Sequence, residues 1–338
     1  MKKQRKITVM ISQMPLKQNR KEEKQMSTLN GKSNRLKYKN NLAYLLFILP
    51  GLASMILFHY IPVFGMVLAF KEYNYRDGIF GSPWVGFKNF KNFFDSGDMV
   101  RVIRNTVGYN IAWMLLVNLM LGMIVAILLY DVKSKRANKL YQTAMLIPNF
   151  LSWVVVAYVG YVILSPTNGI LVLALKGMGI NAVNLYSSRE AAKYWPYILT
   201  FFEIWKDVGM ASLYYYAALL SIDTSLYEAA ALDGAGKFKQ MIYVSLPELM
   251  PMASMVLILR MGQVLSGGMD IFYQMTLDSG ALYSTTETLA VYLYHGLAGK
   301  YTVGVTSAVG IFQSAVGLVL LIVTNTIIKK VNSENSVY

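Results

Sequence analysis

Six apolar stretches dominate this sequence, and each is long enough to cross a lipid bilayer as an α-helix. A helix needs about 20 apolar residues to span the hydrocarbon core, because each residue advances the axis by about 1.5 Å. The stretches lie near residues 42–70, 106–130, 140–164, 194–220, 249–266 and 304–328. Hydrophobic residues make up 55% of the chain and charged residues only 15%, whereas a soluble domain has about 25% charged residues. The sequence therefore predicts an all-α integral membrane protein with six transmembrane helices.

Basic residues are concentrated in segments that would lie on one side of the membrane. Residues 1–41 hold twelve lysines and arginines against two glutamates, and the short loop 131–139 holds four against one aspartate. Lys329 and Lys330 follow the last stretch. Short basic loops stay in the cytoplasm, so we expect both termini there, in a multi-pass protein of the bacterial cytoplasmic membrane. Attraction to anionic lipid headgroups explains the basic tail better than nucleic-acid binding does.

A polar segment of residues 221–251, SIDTSLYEAAALDGAGKFKQMIYVSLPELMP, separates the fourth and fifth stretches. Its pattern predicts a short helix, a turn at Gly234, and a second helix that bends into the membrane at Pro247. Ser225 is expected to cap the first helix, with Glu228 as its capping-box partner. A small-residue helix with one acidic side chain suits docking on a soluble partner. An ordinary loop between two spans fits these residues equally well.

The same segment resembles the EAA motif of permease subunits of type I (maltose-type) ABC importers. That pattern is EAA, three residues, Gly, nine residues, Ile, one residue and Leu-Pro, and this chain departs from it only at Val244, which replaces Ile. In this family the segment forms a coupling helix that docks in a cleft of the ATPase subunit. The resemblance implies an ATPase-coupling role for Glu228, Ala229, Ala230, Asp233, Gly234, Ala235, Leu246 and Pro247.

Further stretches are similar to the polysaccharide and complex-oligosaccharide uptake branch of these permeases. They include residues 81–94, 148–155, 204–209 and 309–325. The resemblance covers about residues 42–328 and implies the type I permease fold, with N-terminus and C-terminus inside. It divides the chain into a basic cytoplasmic tail (1–41), a first transmembrane helix with an extracytoplasmic segment (42–105), a five-helix permease core (106–328) that contains the coupling loop 221–251, and a cytoplasmic C-terminal tail (329–338).

The resemblance also implies the partners of this chain. A second, homologous permease would complete a heterodimer, two ATP-binding subunits would bind it from the cytoplasm, and an extracellular solute-binding protein would deliver an oligosaccharide or polysaccharide fragment. ATP and Mg²⁺ would be used by the ATPase, and this chain would bind no cofactor, no metal and no nucleic acid. Gly31-Lys32-Ser33 resembles the end of a P-loop, but Met26 stands where the motif requires a glycine. We therefore predict that this chain is not the ATPase.

Charged residues interrupt the fourth stretch at Glu203, Lys206 and Asp207, which share one helical face. An intramembrane charge costs about 2.5–3.5 kcal/mol on insertion scales, so these residues either neutralise one another or line a cavity. The sequence leaves both possibilities open. Sugars are held by amides, hydroxyls and aromatic faces. Candidates for the substrate pathway are Asn149, Ser152, Trp153, Glu203 and Trp205.

Two other functions are compatible with parts of the sequence. An ion-gradient-driven sugar carrier would use Glu203 and Asp207 as ion sites, but the coupling loop would then have no purpose. A membrane-bound glycan-modifying enzyme would need a carboxylate pair, and the outer loops contain no convincing one. The two histidines, His59 and His295, lack a second ligand at metal spacing. A transport subunit is therefore the interpretation that the motif favours.

Overall fold

The protein is helical throughout the part of the chain that the computed structural model describes, residues 44–179 and 184–331. No β-strand occurs in these ranges, and one isolated bridge joins Lys71 to Trp84. The basic tail, including Gly31-Lys32-Ser33, lies outside the described residues. The all-α prediction is confirmed for the described chain.

The first helix, α1 (Tyr44–Phe70), agrees with the first predicted span. It contains Pro62, which has no backbone N–H and would clash in a regular helix. A π-helical turn at Ile56–Tyr60 precedes this proline, and the last turns, Phe64–Phe70, are 3₁₀. The helix thus accommodates its proline by local changes of hydrogen-bond spacing. Among the described residues, those up to Gly65 belong to one compact unit and those from Met66 belong to a second.

The second unit contains the remaining helices. In chain order these are α2 (Lys88–Phe94), α3 (Asp98–Tyr130), α4 (Lys135–Phe150), α5 (Trp153–Leu164), α6 (Ile170–Gly177), α7 (Trp195–Leu220), α8 (Thr224–Leu232), α9 (Lys237–Glu248), α10 (Met250–Gly262), α11 (Met269–Met275), α12 (Leu289–Leu297) and α13 (Val303–Val331). Short 3₁₀ and α-helical turns connect several of them.

Within the described ranges, three helices are long and apolar enough to cross a membrane: α1, α3 and α13. Two further pairs, α4 with α5 and α9 with α10, have the length and composition of a span only when the two helices are counted together. Helix α7 has 26 residues, about 39 Å of axis, but carries three charged side chains. The number of six spans therefore stays a prediction.

The third predicted span, a single helix over residues 140–164, is wrong in its continuity. Helices α4 and α5 meet at an angle of 94°. Leu151 and Ser152 are extended between them, and the Ser152 hydroxyl accepts a hydrogen bond from the Val155 N–H at 3.4 Å. Serine is a strong N-cap, and Pro148 lies in the last turn of α4. These two residues end one helix and start another where hydropathy alone shows an unbroken apolar run.

The fifth predicted span, residues 249–266, is also not one helix. Helix α10 ends at Gly262 after 13 residues, about 20 Å, which is shorter than the hydrocarbon core of about 30 Å. It follows α9 at a bend of 52°, with Pro247 in the last turn of α9 and Pro251 in the first turn of α10. The predicted bend at the prolines is confirmed. Residues 263–268 then leave the helix before α11 begins.

The core of the second unit forms around α3, α7 and α11. Trp113 stacks on Phe272 with ring centroids 5.4 Å apart, and Tyr109 meets the same Phe272 edge-on at 4.7 Å. Helices α4 and α7 approach so closely at Gly209 that a Cβ there would overlap the Met145 carbonyl. A glycine is required at this crossing because no side chain fits between the two backbones.

Polar contacts distinguish the two ends of α3. Near its start, Arg101 pairs with Asp98 at 2.7 Å and with the fully buried Glu287. Beyond its end, Asp131 pairs with Lys237 of α9 at 2.9 Å. The loop 131–134 and the segment α8–α9 therefore lie at one end of the unit, and the segment around Glu287 lies at the other.

Candidate functional site

Helix α8 starts two residues earlier than the sequence predicts. The N-cap is Asp223, whose carboxylate accepts a hydrogen bond from the Ser225 N–H at 2.9 Å. This hydrogen bond holds the pKa of the Asp223 carboxyl below its usual range. The prediction that Ser225 caps the helix is wrong, and Glu228, now in the second turn, is too far along for a capping box. Glu228 is exposed and forms no hydrogen bond or ion pair within the described chain.

Gly234 ends α8 in the manner that its position in the motif predicts. Its φ is +75°, in the left-handed region that side chains disfavour. The Ala235 N–H donates to the Ala230 carbonyl at 2.9 Å, and the Gly234 N–H donates to the Ala231 carbonyl at 3.0 Å. These two bonds form a Schellman motif, which satisfies the last carbonyls of the helix. The turn therefore has one defined geometry.

Large apolar side chains project from this turn into solvent. Leu232 is 90% exposed and Phe238 is 69% exposed. Ala229 and Asp233 are exposed beside them. We call the set Glu228, Ala229, Leu232, Asp233 and Phe238 the α8 surface. Exposed apolar groups grouped around a carboxylate are typical of a surface that a partner covers.

Side-chain contacts attach α8 to α9 and to the end of α3. The Tyr227 hydroxyl lies 2.9 Å from the Ser245 hydroxyl, which is buried. The Gln240 amide donates to the Ala235 carbonyl at 3.1 Å, and the pair of Lys237 with Asp131 joins α9 to the loop after α3. A cavity of about 230 Å³ separates these elements, and Glu228 and Tyr130 line it. The α8 surface is thus carried by a segment that is tied to the helices of the second unit.

The other residues predicted for coupling lie around these anchors. Ala230 and Ala235 are half-buried at the two ends of the Schellman motif, and Leu246 is half-buried in α9. Pro247 is exposed in the first turn of the last α-helical part of α9, just before the 52° bend. Sequence reasoning missed Tyr227, Ser245, Asp131 and Lys237, because their partners are distant in the chain.

Two predicted pathway residues meet at the break between α4 and α5. The Asn149 amide donates to the Asp207 carboxylate at 2.9 Å, and the Lys206 ammonium donates to the Asn149 carbonyl at 2.7 Å. Lys206 also lies over the Trp153 ring, 5.4 Å from its centroid. The oppositely charged side chains of α7 thus satisfy polar groups that the helix break exposes.

Of the remaining three predicted pathway residues, Ser152 lies at the same break, whereas Glu203 and Trp205 lie apart from it. Glu203 lines a separate cavity of about 50 Å³, together with Arg260 of α10. Ser152 is the N-cap of α5, and Trp205 is 38% exposed and meets Phe202 edge-on. The structure therefore does not bring the five predicted residues into one site. Arg260 of α10 and Gln263 just after it, which were not among the five predicted pathway residues, line the cavity with Glu203.

Comparison with protein families and comparison with individual proteins both relate this chain to membrane components of transport systems. Residues 118–333 match the family described as "Binding-protein-dependent transport system inner membrane component". Protein LplB of Bacillus subtilis is 33% identical over 292 residues, which cover 86% of this chain and 89% of that protein. The polygalacturonan/rhamnogalacturonan transport system permease protein YteP of Bacillus subtilis is 33% identical over 293 residues, 86% of this chain and 88% of that protein.

Solved structures give the same result for the fold. A chain of a bacterial ABC transporter involved in the import of the acidic polysaccharide alginate superimposes with a TM-score of 0.77 at 29% identity, covering 88% of this chain and 99% of that chain. A second structure, of a bacterial alginate ABC transporter in complex with an alginate pentasaccharide-bound periplasmic protein, gives a TM-score of 0.76 at 28% identity, covering 87% of this chain and 96% of the other.

Proposed function

Because this chain belongs to the family of binding-protein-dependent transport system inner membrane components, we propose that it forms half of the translocation pathway of an ATP-driven carbohydrate importer. It has the type I ABC permease fold and is the permease subunit of an ABC importer for sugars or polysaccharide fragments. Components of this family do not hydrolyse ATP themselves. The energy for transport therefore comes from separate subunits.

The assembly that we propose contains this chain, a second homologous permease, two ATP-binding subunits and an extracytoplasmic solute-binding protein. The similar alginate transporter was solved with a periplasmic protein that carries an alginate pentasaccharide. That arrangement supports delivery of the cargo by a solute-binding protein. In this assembly, ATP and Mg²⁺ are bound by the ATP-binding subunits. The assembly lies in the bacterial cytoplasmic membrane.

We also propose six spans, with both termini in the cytoplasm and the domain boundaries given by the sequence. Contacts at the two ends of α3 support this arrangement. The pair of Asp131 with Lys237 sets the basic loop 131–139 and the α8–α9 segment at one end. At the other end, the Thr285 hydroxyl donates to the Ala192 carbonyl just before α7 at 2.7 Å. Helices α3 and α7 then both run towards the basic end, as two inward spans would.

Coupling to ATP hydrolysis is proposed to act through the α8 surface. The observation that carries this proposal is the unpaired, exposed Glu228 on a helix whose turn is fixed by Gly234 and whose base is fixed by Tyr227. A helix whose turn and base are both fixed transmits a displacement to the helices that it contacts, whereas a mobile loop would not. Closure of the ATP-binding subunits would push α8, and the contacts to α9 and α3 would carry that motion to the membrane helices.

The pathway for the cargo is proposed to run beside α7 and the broken helices. Glu203 faces a cavity, and Trp205 is partly exposed, so both remain candidates for contact with a sugar. Asn149, Ser152 and Trp153 are occupied by packing and capping contacts, and they would contribute by holding the break between α4 and α5 in place.

The test is transport by the reconstituted assembly. Glu228→Lys reverses the charge at this one position and leaves the anchoring residues unchanged, and we expect glycan-stimulated ATP hydrolysis to become uncoupled from uptake. Glu248→Lys is the matched control, because Glu248 is exposed on α9 outside the α8 surface. Uptake that stays coupled in the Glu228→Lys assembly would contradict the proposal.

The ion-gradient carrier makes a different prediction for the same preparation. It requires uptake by this chain alone, without ATP-binding subunits, and loss of uptake with an ionophore. Family membership favours the ATP-driven system. Uptake that needs ATP and survives ionophores would exclude the carrier.

A further inference from the structure

Helix α10 ends inside the region that crosses the membrane. It starts at Met250, next to the proposed cytoplasmic end, so Arg260 lies about 15 Å along its axis, near the middle of a core of about 30 Å. After Gly262 the chain forms turns and then irregular backbone up to Gly268, where φ is +86°. Non-helical backbone is tolerated at this depth only when it is buried in protein or lines a water-filled cavity.

Two cavities meet at this break. The larger, of about 420 Å³, has a mainly apolar wall formed by Tyr214, Met252, Met255, Val256 and Leu259. The smaller, of about 50 Å³, is lined by the polar residues Asn110, Asn118 and Glu203, together with Trp113, Met114 and Gly267. Arg260 and Gln263 line both cavities. They are therefore the polar groups that the larger cavity presents to its contents.

The guanidinium of Arg260 makes no direct polar contact with the described residues. It forms no hydrogen bond and no ion pair within 4 Å, its side chain is exposed, and Glu203 is near enough to interact with it electrostatically. An arginine that faced lipid at this depth would cost about 2.5–3.5 kcal/mol on insertion scales. Glu203, across the small cavity, likewise forms no hydrogen bond or ion pair with any described residue. A charged pair that is held apart in this way suits an aqueous pathway better than a structural contact.

We propose that Arg260 binds the carboxylate of an acidic sugar during its passage, so that the cargo is an oligosaccharide that contains uronic acid residues. This inference rests on the carbohydrate import proposed above. A guanidinium offers a planar set of donors that can bind a carboxylate through two parallel hydrogen bonds. The Gln263 amide can serve the sugar hydroxyls, and the apolar wall around Leu259 can contact the C–H faces of the ring.

Glu203 gives this site the weak binding that transport requires. A transported group must bind well enough to enter and weakly enough to leave. When Glu203 is ionised, its carboxylate lowers the local positive charge and competes with the anionic cargo for Arg260. Arg260 can then exchange between Glu203 and the sugar rather than trap it.

The test compares two ligands that share one sugar backbone and differ in whether their carboxylates are charged or carry a methyl ester. A galacturonic acid trisaccharide and the same trisaccharide with methyl-esterified carboxylates are titrated into the purified assembly of permeases and ATP-binding subunits. We expect the acid to bind at least about tenfold more tightly than the ester. Arg260→Gln removes the charge and should abolish this preference, and Arg260→Lys should retain part of it. Arg189→Gln, which removes an exposed arginine that lines neither cavity, should leave the preference unchanged.

A second variant keeps Arg260 in place. The chain has no cysteine, so Gln263→Cys creates a single labelling site beside the guanidinium. A negatively charged methanethiosulfonate reagent should weaken binding of the acid and spare the ester, and a positively charged reagent should not.

Three results would overturn the inference: equal binding of acid and ester to the native assembly, a preference that survives Arg260→Gln, or an equal effect of the negative reagent on both ligands. If the assembly still imports glycans in any of these cases, the proposed function stands and only the acidic specificity fails. If no glycan stimulates ATP hydrolysis and no glycan is imported, the proposed function and the acidic specificity both fail.

Discussion

Gly234 is the residue whose backbone conformation most constrains the α8 surface. Its φ of +75° is costly for any residue with a Cβ, by about 1 kcal/mol, and the Schellman hydrogen bonds depend on it. We expect Gly234→Ala to loosen the turn, so that ATP hydrolysis continues with less uptake for each ATP. Amide hydrogen exchange of residues 229–236 should increase, as measured by mass spectrometry.

The matched control for this change is Gly236→Ala. Gly236 has φ −66° and open space around the position of a Cβ, so alanine fits there without strain. Faster exchange in both variants, or in neither, would show that the left-handed turn is not what orders this segment.

Tyr227 anchors α8 through its hydroxyl, which contacts Ser245, and through its ring, whose centroid lies 6.0 Å from that of Tyr130. Tyr227→Phe removes the contact with Ser245 and leaves a buried hydroxyl without its partner, which costs about 1 kcal/mol. We expect a lower ratio of uptake to ATP hydrolysis, while the amount of assembled transporter stays the same. Tyr243→Phe, at an exposed tyrosine of α9, should leave this ratio unchanged. Equal ratios for the two variants would contradict an anchoring role.

At the scale of elements, the crossing of α4 and α7 depends on the absence of a side chain at Gly209. A Cβ there would overlap the Met145 carbonyl, which is backbone and does not move freely. We expect Gly209→Ala to separate the two helices, disturb the contact of Asn149 with Asp207, and lower the thermal stability of the purified protein. Gly108→Ala, on an open face of α3, should be neutral or slightly stabilising. A stable Gly209→Ala protein would show that the two helices can shift without cost.

The same elements show how far the sequence predicts the fold. Long uncharged runs predict α1 and α13 within a few residues and the end of α3, since hydropathy over 20 or more residues needs no tertiary information. Helix α3 starts eight residues before its predicted span, because its first turns carry Asp98, Arg101 and Arg104. The α8 turn and the bend before α10 are predicted because Gly234, Pro247 and Pro251 act locally.

The start of α8 and the break between α4 and α5 were not predicted. Both depend on which of several neighbouring residues caps a helix. Asp223 and Ser225 can both cap α8, and the sequence does not rank them. Ser152 starts a new helix inside an apolar run, where averaged hydropathy hides a single capping residue. The contacts that anchor α8, such as Lys237 with Asp131, join residues 106 positions apart and need the folded structure to be seen.

On the scale of the whole molecule, α8, α9 and α10 form one continuous stretch of chain. Under the proposal, the α8 surface would receive the motion of the ATP-binding subunits, and Arg260, near the end of α10, would contact the sugar. Motion of α8 would then act on the helix that carries the proposed binding site, and this would link hydrolysis to cargo release.

The most direct test of this account is a cross-link from Leu232→Cys, at a position of the α8 surface that is 90% exposed, in a chain that has no other cysteine. We expect a heterobifunctional thiol–photoreactive reagent to join this chain to an ATP-binding subunit in the assembled transporter, with a yield that changes when ATP is added. Tyr75→Cys, an exposed position in the predicted extracytoplasmic segment, should give no such product. If Leu232→Cys never cross-links to an ATP-binding subunit in an assembly that transports glycans, α8 is not the coupling element.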